Sequence, residues 1–413
     1  MSKLEIIVVG GGASGMMAAI QAARRGAFVT ILEHMEAPCK KLLATGNGKC
    51  NYTNKAQGLD KYYGENPAFV LPVLEQFDVS NTLDFFQSCG VYPKDKNGYI
   101  YPYSEQAASV KQILLMEAAR LKIKIICNCG IRSIKKEKNR FIFNTKDGIY
   151  SSDCCILATG GKTLRASGSD GSGFLYLDNF RHHIIDVVPG LVGLQGKQAF
   201  FKDIAGIRAG ISLKLYIDNQ EKAAEKGELQ LTNYGISGIV VFQISRIANR
   251  ALAEHKNVHV KLNFLPEFSK EETKKVLSAC MYETTDNRSC EQALIGLFPN
   301  KLIPVLLQEA KINAQAESKK LSALELDQLT RQIRQFRVDI TGWNNFDTAQ
   351  VTAGGVDTNE IDNYSLESKL ESGLYFAGEM IDIDGICGGY NLQWAWSSGY
   401  VAGLHAATEK RAL

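Results

Sequence analysis

C-x-x-C pairs are missing from this 413-residue chain although it holds ten cysteines, which removes the case for a zinc ribbon or a thioredoxin-like redox centre. Several of the ten sit in apolar, strand-like runs such as Ile125-Ile126-Cys127 and Cys154-Cys155-Ile156-Leu157. That setting predicts reduced, buried thiols and no disulfide network. A dominant charge is missing too: 47 Lys and Arg face 44 Asp and Glu, a net +3, which gives no global electrostatic case for nucleic acid. No apolar run reaches membrane-spanning length. The opening run Ile6-Ile7-Val8-Val9 meets Gly10, Gly11 and Gly12 at once, so neither a signal peptide nor a membrane span is expected, and the cytoplasm is the expected location. Repeats, low-complexity tracts and a GxSxG elbow are absent. Gly160-Gly161-Lys162-Thr163 mimics the end of a Walker loop, but position 156 is Ile where that loop needs Gly. His255 and His259 are four apart, yet Val258 to Leu262 alternates like a strand, so they do not share a helical face and no metal is expected.

What is present reads as an ordinary folded chain. Apolar residues make up 45% and charged residues 22%, and the length suits two to three domains. Leu4 to Val9 is a β-branched strand, Ser14 to Arg24 a helix of small and apolar residues, and Phe28 to Leu32 a second strand, together a right-handed βαβ unit. From His34 to Asn54 no period of either kind is visible, which predicts an ordered functional loop. Asn66-Pro67 and Ser104 are read as helix starts. Lys122 to Tyr150 alternates as a small antiparallel meander, and the apolar runs Asp153 to Ala158 and Leu374 to Ala377 are read as strands rejoining the parallel sheet. The expected fold is α/β: a Rossmann-like domain in two parts, 1–189 and 346–413, with a parallel sheet and a small meander, plus an inserted mixed β/α substrate domain over 190–345. In the insert, Ile211 to Ile217 and Val258 to Phe264 are read as strands, Ser269 to Met281 and Ser322 to Phe336 as helices. The latter opens on a capping box and closes on Arg331, Arg334 and Arg337, whose charge suits a helix C-terminus.

Gly10, Gly12 and Gly15 form GxGxxG at the first strand–helix junction. The first allows the turn, the second lets a pyrophosphate reach the backbone beside Ala13 and Ser14, and the third lets helix meet strand. Glu33 closes the second strand, where a carboxylate accepts the hydroxyls of an adenosine ribose. A nicotinamide Rossmann domain would be followed by a second βαβ half; here the later strands end in Thr159-Gly160 and Gly378-Glu379 instead. Such returns suit a long FAD laid across strand ends. Glu379 is then expected at the ribityl hydroxyls, Gly388-Gly389 beside the ring, and the helix after Asn391, with Leu392, at a reduced, anionic flavin.

These segments resemble one family, the two-dinucleotide-binding flavoproteins grouped around BaiN-type bile-acid reductases and aminoacetone oxidase. The resemblance is carried by Lys40 to Asn54 (KKLLATGNGKCNYTN), Thr352-Ala353-Gly354-Gly355-Val356, Gly378 to Gly385 (GEMIDIDG) and Gly388 to Gln393 (GGYNLQ). It implies that Lys41, Thr45, Gly46, Asn47 and Asn51 contact the cofactor and that the backbone of Ile131 holds adenine. The family usually carries Arg where this chain has Lys49, and His in the motif that here reads Leu231-Thr232-Asn233-Tyr234-Gly235-Ile236-Ser237-Gly238. Asn cannot titrate near neutral pH, so Tyr234 or Tyr390 is the expected proton source, unless the substrate differs.

The expected function is therefore FAD-dependent hydride transfer through flavin N5, with the insert closing an apolar cavity over the ring. The resemblance implies NAD(P)H-driven reduction of a carbon–carbon double bond conjugated to a ketone, on a steroid-like or bile-acid-like small molecule. No second GxGxxG holds the donor, so NADH or NADPH is expected to visit transiently. The alternatives are an amine oxidase releasing peroxide and an FAD-stabilised RNA-associated protein; the near-neutral charge argues against the second.

Overall fold

A computed structural model of the protein describes residues 3–283 and 285–408. These fall into two compact units, the described parts of Met1–Pro189 with Phe346–Leu413, and Gly190–Asn345.

The first unit is built on β1 (Glu5–Val9), α1 (Ala13–Arg24) and β2 (Phe28–Leu32). β1 lies between two parallel neighbours, β2 in the register Ile6↔Val29 and Cys154–Leu157 in the register Ile6↔Cys154. Leu374–Phe376 adds outside the latter and Lys124–Ile126 outside β2, giving a five-stranded parallel sheet. Its central strands are apolar along their length because such sheets are covered on both faces. Both expected returning strands are thus in place.

Lys124–Ile126 corrects the expected meander, which comprises only Ile131–Glu137, Arg140–Thr145 and Ile149–Ser152. Three residues are too few to show a period, and their partner β2 lies far upstream. The segment expected to be an ordered functional loop holds a short helix, Lys40–Ala44, and a 3-10 turn, Thr45–Gly48. The helix expected at Ser104 begins at Ala107, because Ser104 Oγ bonds Ser109 Oγ and caps nothing. Asn66 likewise makes no side-chain cap ahead of Pro67–Phe69.

The long helix Tyr390–Thr408 packs backbone to backbone on α1. A Cβ at Gly399 would stand 2.4 Å from the Ser14 carbonyl, and one at Gly403 2.2 Å from that of Ala18. Its Trp394 and Trp396 are buried, their indole N–H groups donating to the carbonyls of Gly378 and Tyr52.

In the second unit, six strands close a barrel in the order Leu194–Gly196, Gly235–Ser237, Gln220–Thr232, Arg208–Ile217, Val258–Asn263, Phe336–Trp343. Helix Ile239–Ala253 and helices Lys270–Tyr282, Leu302–Glu309 and Ala323–Arg334 belong to the same apolar core. The Ser322 capping box is formed, with Glu325 N donating to Ser322 Oγ at 3.3 Å and Ser322 N to Glu325 Oε2 at 2.8 Å. That helix stops at Arg334, so Arg337 is a strand residue paired with Asp339. His259 is also on a strand, its ring stacked 5.0 Å from that of Tyr216.

None of the ten cysteines is in a disulfide, and burial pushes the thiols of Cys39 and Cys50 up to about 12. Among the described residues no helix is long and apolar enough to cross a membrane, and no His, Cys, Asp and Glu cluster suits a metal ion.

Candidate cofactor and active site

The three motif glycines separate by cause. Gly10 has φ +97°, and a Cβ there would stand 2.5 Å from the Ala158 carbonyl at the end of the neighbouring strand. A Cβ on Gly15 would fall 1.9 Å from the Gly10 carbonyl. The fold itself demands both. Gly12 is different: at φ −73° its backbone suits any residue, and a Cβ there would meet nothing within 4 Å. Nothing inside the protein requires glycine at position 12. It is the N-cap of α1 and gives no side-chain cap, so no capping side chain covers the first amides at the positive helix end. That is a cradle for an anion, and a side chain at position 12 would fill it.

Glu33 is buried at the end of β2 and its two oxygens accept the amides of Gly11, at 2.7 Å, and Met35, at 2.8 Å. The carboxylate therefore braces the glycine turn as well as offering its remaining lone pairs. Ile131 opens a meander strand, and its carbonyl accepts the Tyr176 hydroxyl at 3.1 Å.

A second group forms where the strand ends meet. Lys41 Nζ pairs with Glu379 Oε2 at 2.5 Å and donates to Thr163 Oγ1 at 2.8 Å. Glu379 Oε1 accepts the Thr352 amide at 2.6 Å and the Thr163 hydroxyl at 3.1 Å. Glu379 was expected at a ribityl chain; the structure shows it held by three protein donors, with Lys41 as its counter-ion. Thr163 and Thr352 were missed as site residues, since their shared contact with Glu379 is formed only by the fold. Thr159 Oγ1 contacts Met380 Sδ at 3.3 Å, and Gly160, at φ +75°, passes close to Ser169. Gly378 sits against α1, where a Cβ would be 2.4 Å from Ser14 Oγ.

The third group is the loop after the Lys40–Ala44 helix. Gly46, Asn47 and Gly48 all have positive φ, at 56°, 52° and 81°; successive amides in such a run form a nest that favours electron-rich groups. Thr45 Oγ1 donates to the Leu42 carbonyl. Asn51 Oδ1 is buried with no hydrogen-bond partner and lies beside Gly389, whose added Cβ would be 3.0 Å from it. A buried acceptor left without a donor costs roughly 1–3 kcal/mol, so this atom calls for a ligand N–H or O–H. Asn391 bonds Gly385 in both directions, at 2.8 and 2.7 Å, and so fixes the segment entering Tyr390–Thr408. That helix begins at Tyr390, so Tyr390, Asn391 and Leu392 form its first turn.

Tyr390 is 5% exposed and its ring meets that of Tyr62 edge-on; burial raises its phenol above the ordinary value, with Lys61 opposing. Tyr234 belongs to the other unit, at the turn between Gln220–Thr232 and Gly235–Ser237. All the expected cofactor residues lie in the first unit.

The family model described as the HI0933-like protein Rossmann domain matches residues 4–405. The chain is 44% identical over 406 residues to a 3-dehydro-bile acid delta(4,6)-reductase of Clostridium scindens, covering 97% of this chain and 98% of that one. It is 26% identical to a ribosomal RNA dihydrouridine synthase of Escherichia coli, covering 97% of each, and 28% identical to one of Haemophilus influenzae, covering 97% and 98%. A GxGxxG turn whose middle glycine has no packing neighbour and a family match running almost from end to end agree: the chain belongs to the HI0933-like family of Rossmann-domain, FAD-binding oxidoreductases.

Proposed function

We propose that this protein is an FAD-dependent reductase that saturates a carbon–carbon double bond conjugated to a ketone on a steroid-like substrate, with NADH or NADPH as reductant. The observation that carries the cofactor reading is the open space at Gly12, the one motif glycine that the protein's own packing does not explain. Gly10, Gly12, Ala13, Ser14 and Gly15 would hold the pyrophosphate, Glu33 the adenosine ribose and the Ile131 backbone the adenine. Lys41, Thr159, Gly160, Gly378 and Glu379 would border the ribityl chain. Thr45, Gly46, Asn47, Asn51, Gly389, Asn391 and Leu392 would surround the ring, with Asn51 Oδ1 accepting a ring N–H.

When bound, FAD supplies a two-electron carrier between hydride donor and acceptor. Overall, the double bond gains a hydride at its β-carbon and a proton at its α-carbon while NAD(P)H becomes NAD(P)+. The protein's part is to orient the ketone and deliver the proton. A phenol is protonated at neutral pH, and burial raises that of Tyr390 further, so its hydroxyl is available as a donor; Tyr234 is the second candidate. The substrate class rests on the 44%-identical bile-acid reductase. The ribosomal RNA dihydrouridine synthases fit the same reaction class, since the uracil double bond that becomes dihydrouridine is itself conjugated to a carbonyl. They support a second reading, in which that bond in RNA is the acceptor. The ten cysteines, none in a disulfide, support a reducing cytoplasmic setting.

The test is anaerobic titration of the purified, FAD-loaded protein with NADH, NADPH and, separately, primary amines as reductants, followed by enones and unmodified ribosomal RNA as acceptors. Bleaching by a nicotinamide nucleotide and recovery on enone supports the reading. Recovery with RNA alone transfers it to the second reading, and failure to bleach overturns NAD(P)H as the reductant.

A further inference from the structure

Beside the proposed ring site lies a surface that the reading above leaves unused. The hairpin Pro93–Lys96 and Tyr99–Pro102 pairs Lys94 with Tyr101 and Lys96 with Tyr99, and directly opposed residues share a face. Tyr103 continues that face by period two, while Ile100 and Pro102 turn into the core. Tyr92, Tyr99 and Tyr103 are 67%, 42% and 70% exposed, more aromatic surface than packing requires. At the base of the hairpin, Tyr92 and Tyr103 border a groove of about 570 Å³ floored by Val91, Pro102 and Ile113, a size suited to a small-molecule ring.

Three ammonium groups gather on a single carboxylate next to that groove. Lys94, Lys96 and Lys49 all pair with Glu105, which leaves this cluster two positive charges in excess. Lys94 lies over the Tyr103 ring at 5.6 Å and Lys96 over Tyr101 at 5.2 Å. At its other end the hairpin touches the proposed ring loops: a Cβ on Gly388 would be 2.9 Å from the Tyr99 ring, and one on Gly46 3.5 Å from that of Tyr101. Groove, cationic cluster and ring loops thus follow one another along a strand that covers about 13 Å from Tyr103 to Tyr99.

We propose that this hairpin face docks the reduced nicotinamide dinucleotide, with adenine in the Tyr92–Tyr103 groove, phosphates on Lys94, Lys96 and Lys49, and the nicotinamide end led to Gly46 and Gly388. The inference rests on the reductase reading and names the surface its donor uses. It answers a gap in the sequence: the chain has one GxGxxG, already assigned to FAD, and a visiting donor needs stacking and anion recognition from elsewhere.

Lys94→Gln/Lys96→Gln and, separately, Tyr103→Leu test it in the full-length, FAD-loaded protein. Four readouts apply: calorimetric affinity for NADP+, the apparent Kd and limiting rate of anaerobic reduction by NADPH, enone turnover by dithionite-reduced protein, and filter retention of single-stranded RNA. Each variant should weaken nucleotide binding about tenfold, equivalent to about 1.4 kcal/mol. The limiting rate and the dithionite-driven turnover should stay unchanged. Added salt should weaken wild-type binding more than that of the double variant. Equal nucleotide affinity in wild type and both variants overturns this proposal and leaves the reductase reading intact. A wild type that neither nucleotide reduces overturns both. Variants that keep nucleotide affinity but lose retention of single-stranded RNA assign the face to RNA and overturn the proposal.

Discussion

Gly12→Ala separates a glycine kept for the ligand from glycines kept for the fold. In the protein alone the new methyl meets nothing within 4 Å, and the backbone at φ −73° accepts it. Ala is a poorer N-cap than Gly, while a restricted unfolded chain favours it; the two effects offset, so apoprotein stability should move by no more than about 0.5 kcal/mol. With the dinucleotide seated on this turn as proposed, the same methyl would overfill the contact, which typically costs roughly 1–3 kcal/mol. FAD affinity should therefore fall roughly 5- to 150-fold. Gly15→Ala is the contrast: its Cβ would stand 1.9 Å from a backbone oxygen, so folding itself should lose about 3 kcal/mol or more. Urea unfolding of the apoproteins and fluorescence titration with FAD give the two numbers independently. Unchanged FAD affinity in Gly12→Ala, or an apoprotein as damaged as Gly15→Ala, would refute the reasoning.

Three further outcomes are expected. Lys41→Met strips Glu379 of its counter-ion in a site where both side chains are less than a quarter exposed; unfolding should register a loss of about 1–3 kcal/mol, and adding Glu379→Gln should restore part of it. Glu117 lies between Arg120 and Arg24, whose hydrogen bonds hold its carboxyl down to about 2 from an ordinary 4.5. Its stabilisation is thus present above the ordinary value and lost as pH falls from about 5 towards 2. Glu117→Gln should flatten that acid limb, by about 1 kcal/mol after solvent screening. Ser322→Ala removes a formed capping box and should cost about 1 kcal/mol in thermal unfolding while leaving FAD affinity unchanged.

The βαβ core was legible because its signals are local: β1 and β2 are short apolar runs, and the glycine turn leads directly from β1 into α1. The returning strands Cys154–Leu157 and Leu374–Phe376 were legible because a strand buried on both faces is apolar throughout. The barrel was not. Gln220–Thr232 reads QEKAAEKGELQLT, and most of it is exposed or half-buried, so no hydrophobic alternation announces it. Phe336 follows Leu326, Leu329 and Ile333 at helical spacing, which hid the start of the strand Phe336–Trp343. At the site, the identities of Lys41, Asn51 and Glu379 were visible in the motifs. What surrounds the Lys41–Glu379 pair was not: Thr163 and Thr352 join it only when distant segments come together, and no spacing rule encodes that.

The most direct measurement is a single turnover without oxygen. The FAD-loaded protein is reduced with limiting NADPH, mixed with a 3-oxo-Δ4 steroid, and the flavin colour and steroid products are followed together. The account expects colour to return in step with formation of the saturated ketone, one molecule per flavin. Colour that stays bleached in the presence of every enone, yet returns on admitting air with release of peroxide, would contradict it.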